Sequence, residues 1–185
     1  MRMHALLLVS SLAFALLLAV AVPSAAQSPG DTTYLYDLSA TSRYQEGCFD
    51  PCLCPMLAEA GLAGTFTLQH TGTEGGWEIF TVDAIQWTIS LPSGVLLQVS
   101  GSGSLRIDFA GGSQRLNLGL SLDDSPPESF DSGVVPLTAD FPRIEVLVSL
   151  HGVYCYDKVF TICAERSLPI ADGRQGWGTL KSRFE

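Results

Sequence analysis

Lysine is nearly missing from this 185-residue chain, which has only Lys158 and Lys181, and Asn117 is its sole asparagine. Ten basic against nineteen acidic side chains give a formal charge of −9, so phosphate backbones are repelled and nucleic acid is not an expected partner. Histidine is equally scarce, with His70 and His151 the only two beyond the N-terminal leader. No Asn-x-Ser/Thr acceptor, Gly-x-Ser-x-Gly elbow, Cys-x-x-Cys redox pair or Asp-x-Asp-x-Asp-Gly calcium loop occurs. No stretch beyond the leader keeps a helical period long enough to suggest a helical domain. The excess of arginine over lysine and the abundance of Ala, Gly and Leu fit a GC-rich bacterial coding bias.

What is present begins with a leader. Arg2 precedes an apolar run over residues 5–22, broken only by Ser10 and Ser11, and Pro23 and Ser24-Ala25-Ala26 follow. A basic start, an apolar stretch and small residues at the cleavage position form a signal-peptide layout, with cleavage expected after Ala26. An uncleaved anchor is the alternative, since the run is just long enough to span a thin bilayer. No later segment has spanning length, so no stable membrane span is expected after cleavage. The mature chain would start at Gln27, lose Arg2 and become one charge more negative. Its length suits one domain with a real core, divided as an irregular cysteine-bearing segment (27–62), a β domain (63–168) and a flexible tail (169–185).

From Gly64 onward the apolar residues recur every second position, the period of a half-buried strand. Phe66 and Leu68 open the pattern, and a Gly/Thr-rich turn over 71–76 follows. Within 77–90 the parity changes, from Phe80 and Val82 to Ile85, Trp87 and Ile89, which predicts a bulge near Asp83. The Ser100-Gly101-Ser102-Gly103-Ser104 run either links two strands or lets a sheet curve sharply. Leu105, Ile107 and Phe109, then Gly111-Gly112, then Leu116, Leu118, Leu120 and Leu122 read as a hairpin. Residues 123–133 read as a polar loop because of Pro126-Pro127, and Pro136 confines 134–139 to an edge. Ile144, Val146, Val148 and Leu150 turn at His151-Gly152 and return with Tyr154, Tyr156, Phe160 and Ile162 expected on one face. About eight short strands joined by turns predict an antiparallel β barrel or β sandwich. Residues 56–60 allow one helical turn.

Five cysteines remain after export: Cys48, Cys52, Cys54, Cys155 and Cys163. An oxidising compartment makes disulfides the first reading. Cys155 and Cys163 on one strand would lie about 26 Å apart at about 3.3 Å per residue, beyond the reach of a bridge. A bridge between Cys52 and Cys54 would close a strained one-residue loop. The expected arrangement ties Cys155 to the N-terminal cluster and leaves Cys163 as a free, buried thiol, with the remaining connectivity open. Cys48, Cys52, Cys54 and Cys155 also supply four thiolates, the number a structural zinc takes, although their spacing is not a common zinc pattern.

Chemistry-bearing sets are sparse, and no cofactor is expected. Ser102, His151 and Asp157 supply triad residue types with nothing in the sequence to bring them together. Asp83, Asp108, Glu145 and Asp157 are strand-borne acids from which a glycosidase-like pair could be drawn, although acids on strands are more simply an outward face. Asp123, Asp124, Glu128 and Asp131 crowd one loop, a weak calcium alternative. The tail offers Trp177, Lys181, Arg183 and Phe184 as a basic, aromatic docking element.

The Gly-Cys-Phe-Asp-Pro-Cys-Leu-Cys-Pro stretch, Gly64-Thr65-Phe66, the Ser-Gly-Ser-Gly run, Phe130-Asp131-Ser132-Gly133 and late Cys155 together resemble small exported bacterial proteins of unknown function. The resemblance covers roughly residues 34–166 and implies an exported β domain, with no catalytic or binding residue to carry over. The functional expectation is a non-enzymatic binding or structural module with a protein or small-ligand partner. A lipid-like ligand carrier using a barrel cavity and a hydrolase using the strand-borne acids are the alternatives.

Overall fold

A computed structural model describes residues 32–167 apart from 53 and 55. The leader and the tail with Trp177, Lys181, Arg183 and Phe184 lie outside the described residues. Ten strands form one antiparallel sheet: β1 (Thr33–Leu38), β2 (Arg43–Cys48), β3 (Leu57–Glu74), β4 (Trp77–Ser90), β5 (Leu96–Asp108), β6 (Ser113–Leu122), β7 (Glu128–Asp131), β8 (Val135–Pro136), β9 (Ile144–Ser149) and β10 (Tyr156–Arg166). The sheet curls back on itself, because β10 pairs with β9 on one side and with both β1 and β2 on the other.

The all-β expectation holds, and the segment expected to be irregular shrinks. The described residues of 27–62 contribute β1, β2 and the start of β3, with residues 39–42 and the cysteine loop between β2 and β3 outside the strands. Residues 57–60 are strand, not a helical turn. Alanine-rich sequence is a good helix former, but Ala60 and Leu62 are buried with strand alternation while β2 and β4 supply the backbone partners. Tertiary pairing overrides local propensity here.

β1 and β2 behave as one interrupted strand. Both lie between β3 and β10, and the register against both neighbours slips across residues 39–42. At the slip the Ser39 N–H donates to the Cys163 carbonyl at 2.7 Å, and the buried Ser42 hydroxyl completes the bonding of Cys163. It accepts the Cys163 N–H at 3.1 Å and donates to the Cys163 carbonyl at 2.9 Å.

The bulge expected near Asp83 is present. Ala84 takes a φ of 50°, and the β4 register shifts against β5 between Val82 and Ile85. This keeps Phe80 and Val82 inward before the bulge and Ile85, Trp87 and Ile89 inward after it. The Ser-Gly run lies inside β5, where the sheet coils. A Cβ on Gly101 would stand 2.0 Å from the Gly119 carbonyl oxygen, and one on Gly103 would stand 2.1 Å from that of Asn117.

Two further expectations are corrected. The loop after Pro126-Pro127 contains β7, because Phe130, fully buried, points into the core from a strand that starts just past the prolines. Tyr156 keeps the parity of Phe160 and Ile162 but is exposed, at the end of the sheet where the core stops, and Tyr154, in the turn before β10, is exposed as well. The seam between β7 or β8 and β9 is thin, with Asp131 opposite Ser149 its one register pair. Side chains bridge it instead. Buried Gln114 donates to the Glu145 carbonyl at 2.8 Å, and Thr138 does so at 3.0 Å.

Inside, aromatic rings form a connected line. Tyr36 stacks on Phe66 at 5.3 Å, Phe66 meets Trp87 at 6.1 Å, and Trp87 meets Phe160 at 6.1 Å. Phe160 then contacts Tyr44 at 4.9 Å and Phe130 at 5.1 Å. The remaining internal void among Phe66, Trp87, Leu105 and Ile162 is about 10 Å³, roughly the minimum for one water. The Tyr36 hydroxyl and Trp87 Nε1 are buried without hydrogen-bond partners, and burial pushes the Tyr36 phenol up to about 12.

Gly101→Ala is expected to cost about 1–3 kcal/mol in urea unfolding, since a methyl cannot share space with a backbone carbonyl. Gly119→Ala, whose methyl meets nothing closer than 3.9 Å, is expected to stay within about 0.5 kcal/mol. Equal costs would contradict the coiled-strand account. Tyr36→Phe removes an unpaired hydroxyl, so stability at neutral pH is expected to be unchanged or to rise by up to about 1 kcal/mol. The folded phenol titrates higher than the unfolded one, so its contribution is complete below about pH 10 and is lost as pH rises towards about 12. Unfolding curves at neutral pH and near pH 11 should therefore show the variant losing less stability with alkali than the parent.

Candidate functional site

The end of the sheet that carries the cysteines is built around one carboxylate. Asp157, at the start of β10, is fully buried. Its Oδ1 accepts the N–H groups of Leu150, His151 and Lys158 at 3.1, 2.9 and 2.7 Å, and its Oδ2 accepts that of Val153 at 2.7 Å. The Ser149 hydroxyl accepts the Gly152 N–H at 2.9 Å. These bonds hold a turn in which Val153 and Cys155 both have positive φ, 59° and 54°, a conformation costly for non-glycine residues.

The turn presents Cys155 to the loop after β2. Cys52 and Cys155 form a disulfide with Cα atoms 4.9 Å apart, and Cys48 and Cys54 form another at 5.7 Å. The Cys155 carbonyl also accepts the Phe49 N–H at 2.9 Å. A bridge across 103 residues of sequence removes unfolded-state freedom worth on the order of 4 kcal/mol. Cys163 is the remaining thiol, and it is half-buried, not buried, because on β10 it sits between the inward Ile162 and Ala164 and so faces outward. The four bridged sulfurs pair two by two, and among the described residues no group of three or more His, Cys, Asp or Glu side chains is arranged to hold a metal.

Beside the staple, inward positions turn polar. Glu46 accepts the Tyr44 hydroxyl at 2.7 Å and the Tyr156 hydroxyl at 3.0 Å, while Lys158 pairs with Glu128 at 2.6 Å. Burial and then the bond to Glu46 hold the Tyr44 phenol above its ordinary range, and for Tyr156 the bond to Glu46 comes first. Each of these polar groups already has a partner within the chain.

The sets of residues considered for catalysis do not assemble. Ser102 is exposed midway along β5, whose ladder partners are β4 and β6, whereas His151 and Asp157 lie at the β9–β10 turn. Their contact is an imidazole nitrogen 3.7 Å from a carboxylate that serves backbone amides. Among the strand acids, Asp83 is exposed at the bulge, Asp108 caps the hairpin by accepting the Gly111 N–H at 2.8 Å, and Glu145 pairs with Arg143. The calcium alternative disperses too. Asp123 accepts the Gln98 N–H at 2.8 Å, Glu128 holds Lys158, Asp131 holds Arg115, and Asp124 is exposed. His70 and Thr73 hydrogen-bond Glu78. Those bonds lower the Glu78 carboxyl, and the Arg115 guanidinium lowers that of Asp131, the direction opposite to what a general acid requires.

A groove of about 460 Å³ lies on the outer face, lined by Trp77, Ser104, Arg106, Arg115, Asn117 and Val134. None of these residues stood out in the sequence. Arg106 and Arg115 flank the Gly111-Gly112 hairpin at outward parity in a chain with only ten basic residues, and that symmetry was the available signal. No family model, curated protein or solved structure matches the chain, so this geometry carries the functional argument.

Asp157→Asn presents an NH₂ group to amides that need an acceptor, and its expected cost is about 2–4 kcal/mol by urea unfolding. Asp124→Asn, on an exposed side chain, is expected to cost under about 0.5 kcal/mol. An Asp157 variant as stable as the parent would remove this carboxylate from its structural role.

Proposed function

We propose that this is an exported bacterial protein of the cell envelope or extracellular space that acts as a non-enzymatic binding or structural module. The observation that carries this reading is where the polar chemistry goes. Of the carboxylates that a hydrolase would use, Asp108 caps a turn, Glu145 pairs with a cation and Asp157 holds backbone amides, while Asp83 is exposed at the bulge away from them. Surface contact is what remains. The leader, the two disulfides and the likeness to small exported proteins support the address.

Core packing weighs against the carrier alternative: ligand cavities run from about 300 to 1,000 Å³, and the space among Phe66, Trp87, Leu105 and Ile162 is about 10 Å³. Among the described residues no helix is long and apolar enough to cross a membrane.

Two assays on the oxidised, exported protein test the reading together. Ester, glycoside and peptide reporter substrates are expected to show no turnover above the buffer blank, while the protein cosediments saturably with insoluble envelope polymers. Turnover that scales with protein concentration would contradict a non-enzymatic role, and failure to bind any envelope fraction would contradict binding at the envelope.

A further inference from the structure

The outer groove combines features that together select one kind of ligand. Arg106 on β5 and Arg115 on β6 are directly opposite in the ladder, and like charges so placed destabilise a sheet unless an anion sits with them. Arg115 is occupied: its Nε donates to Asp131 Oδ1 at 3.1 Å, its Nη2 also reaches that carboxylate, and Asn117 hydrogen-bonds there as well. Arg106 is engaged far less. It meets Glu74 at 3.9 Å, and that carboxylate is 75% exposed, a contact that an incoming anion can replace at little cost. Trp77 supplies an aromatic wall, Val134 an apolar rim, and Ser104 and Asn117 neutral hydrogen-bonding groups.

We propose that this groove binds an acidic sugar, with the carboxylate on the Arg106 fork and the ring lying against Trp77. A guanidinium and a carboxylate match in planar, bidentate geometry. A saturated sugar ring offers C–H groups to an aromatic face and hydroxyls to Ser104 and Asn117. The overall charge of −9 opposes any anion at long range, and a sugar carboxylate, with one charge per ring, meets less of that repulsion than a doubly charged phosphate monoester. This proposal rests on the binding-module reading and names its ligand class.

The test is NMR titration of the oxidised protein with trigalacturonate, with neutral trigalactose and a glutamate oligopeptide as comparisons. Trigalacturonate is expected to shift the Trp77 indole, Ser104 and Asn117 resonances, and Arg106→Gln is expected to weaken binding about tenfold or more. Arg43→Gln, at an exposed arginine outside the groove, should bind as the parent does, and trigalactose should bind at least about tenfold more weakly. Unmoved groove resonances, undiminished binding by Arg106→Gln, or equal affinity for the glutamate peptide would each overturn the assignment. If the groove is silent while envelope polymers still cosediment, the site falls and the binding-module reading survives. Turnover of trigalacturonate would overturn that reading instead.

Discussion

Packing of Trp87 between Phe66 and Phe160 fixes most of what this molecule can be. The line of rings from Tyr36 through Phe66, Trp87 and Phe160 to Tyr44 and Phe130 joins β1, β3, β4, β10, β2 and β7 across the inside of the curled sheet. Large side chains meeting at the centre fill the space where the curled sheet closes on itself. They leave about 10 Å³ free among Phe66, Trp87, Leu105 and Ile162. Even the two polar atoms left among the rings, the Tyr36 hydroxyl and Trp87 Nε1, stay without partners, so packing takes precedence there over polar satisfaction.

Closing the sheet creates two problems that are solved locally. Where β1 passes into β2, the ladder slips, and one serine hydroxyl both donates to and accepts from Cys163. At the opposite limit of β10, the Asp157 carboxylate gathers four amides, and the resulting turn places Cys155 against Cys52. The disulfide then anchors the loop after β2, where Cys52, Cys54, Met56 and Leu57 are exposed and hydrophobic burial contributes little. Charge inside the fold is accordingly a fastening, and it is used up by the fold itself.

Period-two patterning made the sheet legible from Gly64 in β3 onward, β7 excepted, and the parity change in β4 located its bulge, because inward side chains of one strand must stay inward on both sides of an inserted residue. Residues 57–60 were not legible in this way: alanine suits helix and strand interiors alike, and only pairing with β2 decides. Pro126-Pro127 concealed β7, since a proline pair says where a strand cannot run but not how soon one can begin. Tyr156 was misplaced because alternation gives the face and not the point along the strand at which the core ends. The groove depends on cross-strand register, so Arg106 and Arg115 became a pair only once the hairpin alignment was known.

The central claim is that this interior is filled and that any partner is met at the surface. A native mass spectrum of the exported protein, taken without and then with reductant, addresses that claim most directly. The account predicts a chain starting at Gln27, two disulfides and no retained ligand mass in either state. A stoichiometric lipid-like mass on the oxidised protein that is released when it unfolds would contradict it, because such a molecule has no place among the rings around Trp87.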